Sequence, residues 1–143
     1  MLRFDVLTLF PRMFDAITEW GISGRARTRG CYEVVTWNPR GFASGAYRAI
    51  DDRPYGGGPG MVMMIEPLEK AIAAARQRQA CCGVANNRVV CLSPQGELLN
   101  HHLVAELAQL DGLVLLAGRY EGIDERVVPC AVEQEISVGE YVV

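Results

Sequence analysis

The chain has 143 residues, half of them hydrophobic and 22% charged, which reads as one globular domain with room for a real core. No apolar run reaches the roughly 18 residues a membrane span needs, and the start, MLRFDVLTLFPRMFD, carries charge inside its apolar stretch and no small-residue cleavage site, unlike a signal peptide. A net charge of −3 gives nucleic acid no global attraction, and five cysteines (Cys31, Cys81, Cys82, Cys91, Cys130), an odd number without a framework, read as reduced thiols of a cytoplasmic protein.

In chain order, LRFDVLTLF alternates and is rich in β-formers, which predicts a strand over 2–8. Pro11 opens a helix in which Met13, Phe14, Ile17 and Trp20 fall at helical spacing. GISGRARTRG is a polar, glycine-bounded connection with space for a short helix, and CYEVVTW is a second strand. Residues 38–60 are rich in Gly, Pro and Arg and read mostly as loop. EPLEKAIAAARQRQ predicts a helix with Pro67 in its first turn and a stripe of Leu68, Ile72 and Ala75. RVVCL is a buried strand followed by SPQG. NHHLVAELAQL is a helix, with Leu99, Leu103, Leu107 and Leu110 on one face. LVLLA is a further buried strand followed by GRYEG, IDERVVPCA a short helix, and EQEIS a strand followed by VGEYVV. Strands separated by helical stretches predict an α/β domain with a mainly parallel sheet and flanking helices.

Three of these strands run into glycine-bearing loops: Ser93–Gly96, Gly118–Gly122 and Ser137–Tyr141. Neighbouring parallel strands would bring the loops to one crevice beyond their carboxyl ends. None carries a phosphate fingerprint, so the crevice suits a ligand gripped by backbone contacts, such as an adenosine without a phosphate chain. The plain alternative is that these glycines end strands and cap helices. Glu121, Asp124 and Glu125 lie beside the crevice; Asp124 and Glu125 also suit the first turn of a helix.

The stretch DDRPYGGGPGMVMM, residues 51–64, lacks the Lys-Ser/Thr of a phosphate loop and runs straight into core-like sequence, so it reads as a lid rather than a linker. Arg25, Arg27, Arg29, Arg40, Arg48 and Arg53 face only Glu33, Asp51 and Asp52 across the same span, a local excess of positive charge beside the lid. A solvated basic surface is the alternative. Cys81, Cys82, Cys91, His101 and His102 lack metal-ligand spacing, and no metal is expected. No serine or cysteine sits in a nucleophile elbow.

The motifs LTLFPRMFDAITEWGISGRA, WNPRGF, DDRPYGGGPGMVMM, LSPQG, GRYEGIDERV and ISVGEYVV resemble the bacterial tRNA (guanine-N(1)-)-methyltransferase (TrmD) family of the SPOUT superfamily across essentially the whole chain. Residues 81–86 match no motif of that family. The resemblance implies S-adenosyl-L-methionine as methyl donor and N(1) of the guanosine just 3′ of the anticodon as acceptor, a modification that guards the reading frame. By motif it implies a cofactor pocket of Leu92, Ser93, Pro94, Gly118, Tyr120, Glu121, Gly122, Ile136, Ser137, Val138, Gly139, Tyr141, Val142 and Val143. On the RNA side it implies Arg25, Asp51, Arg53, Gly56, Gly57, Gly58 and Gly60. It further implies a deep trefoil knot, which general rules make very rare, and an obligate homodimer. A base that must be splayed out of the anticodon suits a pliable lid.

The sequence stops at GEYVV, whereas the family continues through an SGGE-type segment and a small helical domain. The family's general base and its arginine partner fall in that continuation, so the expectation is an N-terminal catalytic domain, 1–143, that binds cofactor, is catalytically incomplete, and keeps Glu121 in support. Two readings from other classes stay open. One is a nucleotide-binding oxidoreductase domain, against which the missing dinucleotide fingerprint speaks; the other is a non-catalytic RNA-binding module.

Overall fold

The computed structural model describes residues 1–42, 51–52, 62–63, 65–117, 122–123 and 132–139, the three two-residue segments by their backbone alone. In chain order the strands are β1 (Leu2–Leu7), β2 (Tyr32–Trp37), β3 (Asp51–Asp52), β4 (Val62–Met63), β5 (Asn87–Leu98), β6 (Gly112–Leu116), β7 (Gly122–Ile123) and β8 (Gln134–Ser137). The helices are α1 (Asp15–Thr18), α2 (Gly21–Thr28), α3 (Ile65–Cys81) and α4 (His101–Leu107), with 3-10 turns at Pro11–Phe14 and Pro39–Phe42.

Five strands form a parallel sheet in the order β2-β1-β6-β5-β8. Its middle strand β6 (GLVLL) and the VVC run of β5 are apolar because both faces are covered there. On one face Leu7, Val89, Cys91, Val114 and Leu116 pack under Leu68, Ala71, Ile72 and Ala75 of α3. On the other, Val90, Leu113 and Ile136 pack with Leu103 of α4, and Leu107 and Leu110 lie against them. The predicted stripe on α3 is therefore its core face, and α/β architecture with a parallel sheet is the observed fold. A separate three-stranded sheet runs β3-β4-β7.

Local structure departs from the sequence reading in three places. The helix expected after Pro11 does not run through to Trp20. It is a 3-10 turn followed by the four residues of α1, and Trp20 is extended at φ −128° before Gly21 at φ +65°. Met13, Ile17 and Trp20 are consequently 56–71% exposed, because helical spacing makes a buried stripe only when one unbroken helix carries it. The connection GISGRARTRG does hold the short helix it has space for, the eight-residue α2. β5 does not stop at Leu92 but runs on to Leu98. α4 ends at Leu107, three residues before the last leucine of the predicted face; Asn100 caps its start, its side-chain oxygen accepting from the Leu103 N–H at 2.8 Å. The helix predicted from Ile123 falls mostly outside the described residues, and Ile123 itself closes β7.

One buried charge organises the amino-terminal half of the sheet. Asp5, in the middle of β1, has no solvent exposure. Arg78 Nε donates to its Oδ2 and Arg78 Nη2 to its Oδ1, both at 2.8 Å. Trp37 Nε1 donates to Oδ2 at 2.7 Å and Gln79 Nε2 to Oδ1 at 2.9 Å. The same Gln79 amide donates to the Leu113 carbonyl at 3.1 Å. Arg78 also donates to Glu33 at 2.9 Å, and Glu33 pairs with Arg3. The paired carboxylates raise the Arg78 pKa, Asp5 most strongly. Arg3, with Arg78 in support, holds the Glu33 carboxyl below its ordinary value of 4.5.

Removing one partner of such a pair leaves the other desolvated and unmet. Asp5→Ala is expected to cost about 3–5 kcal/mol of stability, measured by urea unfolding, while an exposed control such as Glu69→Ala changes little. Glu33 titrates lower in the folded than in the unfolded chain, so its contribution is present above pH 4.5 and lost as pH falls through the folded value. Glu33→Gln should therefore flatten the acid limb of a melting-temperature profile taken from pH 7 down to pH 3.

Candidate functional site

Because the five main strands are parallel, all their carboxyl ends lie on one edge. β6, β5 and β8 are consecutive there, so the stretches after Ala117, Leu92 and Ser137 begin side by side. The chain steps from β5 inward to β6 and then back past β5 to β8. Crossovers that leave a sheet in opposite directions open a crevice at that edge, where parallel α/β sheets place ligands.

At this edge β5 pairs with β8 twice. Leu92 is opposite Ile136; the chain steps out, and Glu97 comes back opposite the same Ile136, with Leu98 opposite Ser137. Ser93 to Gly96 form the excursion, in which the Gln95 N–H donates to Ser93 Oγ at 3.2 Å. Gly96 closes it against the neighbouring strand: a Cβ there would sit 2.5 Å from the Glu135 carbonyl carbon and the Ile136 nitrogen. That glycine serves the close approach of two strands rather than of a ligand. Just beyond, the Leu99 N–H donates to the Ser137 carbonyl at 2.8 Å. Ser137 is buried; its Oγ donates to the Gly139 carbonyl at 2.6 Å and accepts from the Gly139 N–H at 3.2 Å, fixing the turn that leaves β8.

Of the residues singled out for a cofactor, Leu92, Ser93, Pro94, Ile136, Ser137, Val138 and Gly139 are brought together on β5 and β8. Ile136 turns its side chain into the core beneath Leu103, leaving its backbone to the edge. Leu92 and Val138 present exposed apolar side chains. Gly118, Tyr120, Glu121, Tyr141, Val142 and Val143 lie outside the described residues, as do Arg53, Gly56, Gly57, Gly58 and Gly60 on the RNA side. Arg25 is on α2, whose Ser23 carbonyl accepts from Tyr32 Oη of the edge strand β2 at 2.8 Å, so it is not among the cofactor loops.

The second sheet joins two motifs that sequence reading treated separately. β3 and β4 flank residues 53–61 and pair antiparallel, Asp51 opposite Met63 and Asp52 opposite Val62. β4 then pairs in parallel with β7, Val62 opposite Gly122 and Met63 opposite Ile123. The apolar end of the glycine-rich stretch thus lies against the residue that closes GRYEG. Two-residue strands carry no periodicity, so no signal in the sequence announces this pairing.

Among the described residues, no three His, Cys, Asp or Glu side chains are placed to hold a metal. Cys81 and Cys82 are exposed whereas Cys91 is buried in β5. Burial, helped by Glu135, pushes the Cys91 thiol up to about 11. No helix among the described residues is long and apolar enough to cross a membrane.

The family model for tRNA (Guanine-1)-methyltransferase TrmD matches residues 2–143. The chain belongs to this family. A tRNA (guanine-N(1)-)-methyltransferase of Nitrosospira multiformis is 61% identical over 140 residues, covering 98% of this chain and 55% of the relative. Its counterpart in Methylobacillus flagellatus is 61% identical over 140 residues, covering 98% and 53%. The crystal structure of tRNA (m1G37) methyltransferase from Aquifex aeolicus superposes with a TM-score of 0.84 at 38% identity, covering 99% of this chain and 62% of that one. The chain spans about half the length of the curated relatives it matches. The resemblance carried by the motifs is the relationship the comparisons find, and neither the oxidoreductase nor the non-catalytic reading gains from them.

The geometry makes two expectations checkable. Gly96→Ala must push β5 from β8; it should cost about 1–3 kcal/mol by urea unfolding, the range for overpacking. At pH 8, iodoacetamide followed by peptide mapping should label Cys31, Cys81 and Cys82 while Cys91 stays unmodified in the folded chain.

Proposed function

We propose that this chain is the cofactor-binding, N-terminal domain (1–143) of an enzyme that transfers a methyl group from S-adenosyl-L-methionine to N(1) of the guanosine just 3′ of a tRNA anticodon. One observation carries the reading. The family match spans residues 2–143, and its loop motifs start on three adjacent strands at the carboxyl edge. The edge suits a nucleoside held without a phosphate chain: the backbone of the Ser93–Gly96 excursion and of the turn after Ser137 is flanked by the exposed apolar side chains of Leu92 and Val138. Neither 92–96 nor 137–139 carries an arginine or lysine to neutralise phosphates.

When bound, the donor supplies an electrophilic methyl on a sulfonium centre. The chain's part is to hold the adenosine by backbone contacts, keep water out with apolar side chains, and orient the methyl in line with the acceptor nitrogen. N(1) of neutral guanine carries a proton, so the complete site needs a base for it and donors for charge growing toward O6. In this reading Gly118, Tyr120, Glu121, Gly122, Tyr141, Val142 and Val143 complete the cofactor pocket. Arg25, Asp51, Arg53, Gly56, Gly57, Gly58 and Gly60 face the RNA. The active enzyme is a cytoplasmic homodimer whose carboxyl edge is threaded as a trefoil knot.

The test is an isothermal titration of the chain with S-adenosyl-L-methionine, with NAD as the control. Saturable heat with the first alone is expected, and a ligand at 100 times its dissociation constant should add about 2.7 kcal/mol of stability. Ser137→Ala, which removes both bonds to Gly139, should weaken binding about 2- to 10-fold, as the loss of one or two net hydrogen bonds does. No heat and no thermal shift with S-adenosyl-L-methionine would end the proposal.

A further inference from the structure

Residues 81–86 match no motif of the family, and they open on two adjacent cysteines. Cys81 ends α3 and Cys82 follows it; both are exposed, whereas Cys91 is buried in β5. Arg78, one turn back on the helix, donates from Nη1 to the Cys82 sulfur at 3.7 Å and from the same nitrogen to Glu33 at 2.9 Å. An exposed sulfur with a guanidinium beside it is the setting in which cysteine thiols react. Among the described residues no third His, Cys, Asp or Glu joins the pair to hold a metal, so the chemistry open to it is that of two thiols.

The pair sits on the turn that ends α3. The Cys82 N–H donates to the carbonyls of Arg78 and Gln79 at 3.0 and 3.1 Å, the Gly83 N–H to Ala80 at 3.0 Å and the Val84 N–H to Gln79 at 3.0 Å. Gly83 reverses the chain at φ +83°, the left-handed cap that closes such an end. While this turn holds, the two sulfurs are badly placed to join. Successive side chains leave a helix about 100° apart. Their Cα atoms stand about 3.8 Å apart, under the roughly 4.4–6.8 Å that a relaxed disulfide takes. A bond between the sulfurs therefore has to pull Cys81 and Cys82 out of helical geometry. The backbone bonds it would break are made to Arg78 and Gln79, the two residues whose side chains meet Asp5.

We propose that Cys81 and Cys82 form a peroxide-responsive dithiol whose oxidation unfastens the end of α3. The Cys82 sulfur attacks one oxygen of hydrogen peroxide: an S–O bond forms, the O–O bond breaks and water leaves. The Cys81 sulfur then attacks the sulfenic acid on Cys82: an S–S bond forms, the S–O bond breaks, and the hydroxyl leaves as a second water with the thiol proton. The two thiols are oxidised to one disulfide and one peroxide is reduced to two waters. Opening the last turn moves Arg78 and Gln79 off Asp5, the carboxylate that ties β1 and β2 to the helix. A dithiol reductant exchanges with the bridge, is itself oxidised, and lets the turn re-form.

The experiment treats the reduced chain with hydrogen peroxide, blocks the remaining thiols with iodoacetamide and maps tryptic peptides. Cleavage after Arg78 and Arg88 releases residues 79–88, which contain Cys81 and Cys82 and no other cysteine. That peptide should be lighter by two hydrogens and take up no iodoacetamide, while Cys31 is labelled as before. The melting temperature of the oxidised chain should fall by about 3–8 °C, as loss of a helix cap does in a domain of this size, and dithiothreitol should restore it. Cys81→Ser should abolish both the bridge and the fall, and leave on Cys82 a sulfenic acid that dimedone traps. Cys31→Ser should behave as the unaltered chain. Both substitutions replace exposed thiols, so the fold is kept. A peptide 79–88 that still takes two labels after peroxide, or one bridged to the peptide of Cys31, would overturn the dithiol. A bridge that leaves the melting temperature unmoved would overturn its hold on α3.

Discussion

A carboxylate with no access to water must be met on every side, and in this chain that requirement falls on Asp5. Two nitrogens of Arg78 and one each from Trp37 and Gln79 converge on its two oxygens. Those donors come from the last turns of α3 and from the edge strand β2, while Gln79 reaches on to the carbonyl of Leu113 in β6. One side chain therefore holds three adjacent strands and the helix that crosses them. A buried ion pair of this kind adds little net stability over an apolar replacement of the same shape. Its effect here is to admit one register: a turn of slippage in α3 would leave both a carboxylate and a guanidinium without partners.

That constraint lies at the opposite end of α3 from the candidate ligand edge. α3 begins near the carboxyl ends of the strands and descends to the amino ends, where Arg78 and Gln79 fix it. Between them, Leu68, Ala71, Ile72 and Ala75 seal one face of the sheet. Polar satisfaction is thus used up at the amino end, and apolar packing in the middle. At the carboxyl edge the strands give way to the Ser93–Gly96 excursion and the Ser137–Gly139 turn, with the side chains of Leu92 and Val138 exposed beside them. Loops on a rigid scaffold can hold a ligand because the scaffold needs nothing from them.

Legibility from sequence followed the same division. Uninterrupted runs such as VVC and LVLL can be stable only when covered on both faces, so they announced parallel central strands, and Leu68, Ile72 and Ala75 announced the helix above them. Two of the three glycine-bearing loops were visible because each follows such a run; the third follows EQEIS, which is not one. Periodicity misled where no single element carried it. Met13, Ile17 and Trp20 share helical spacing, but the chain turns extended at Trp20 and their stripe faces solvent. It was silent where pairing is brief or doubled: β4 against β7, and β5 returning to β8 beyond the Ser93–Gly96 excursion. Gly96 looked like a loop glycine suited to ligand approach; only the adjacent backbone of Glu135 reveals what it makes room for.

A net charge of −3 gives the proposed tRNA partner no global attraction. The distribution of ion pairs removes the difficulty. The arginines that hold the fold are neutralised where they stand, by Asp5, Glu33, Glu106 and Glu133. They contribute almost nothing to the field outside. Arg25, Arg27 and Arg29 have no ion-pair partner among the described residues, and the stretch from Gly21 to Tyr32 carries no carboxylate at all. Within a Debye length of about 8 Å, a phosphate approaching α2 meets this local surplus rather than the summed charge of the chain. Glu66 and Glu69 on α3, with most of the other acidic residues, lie in later segments of the sequence. An acidic protein can in this way carry a local positive surplus.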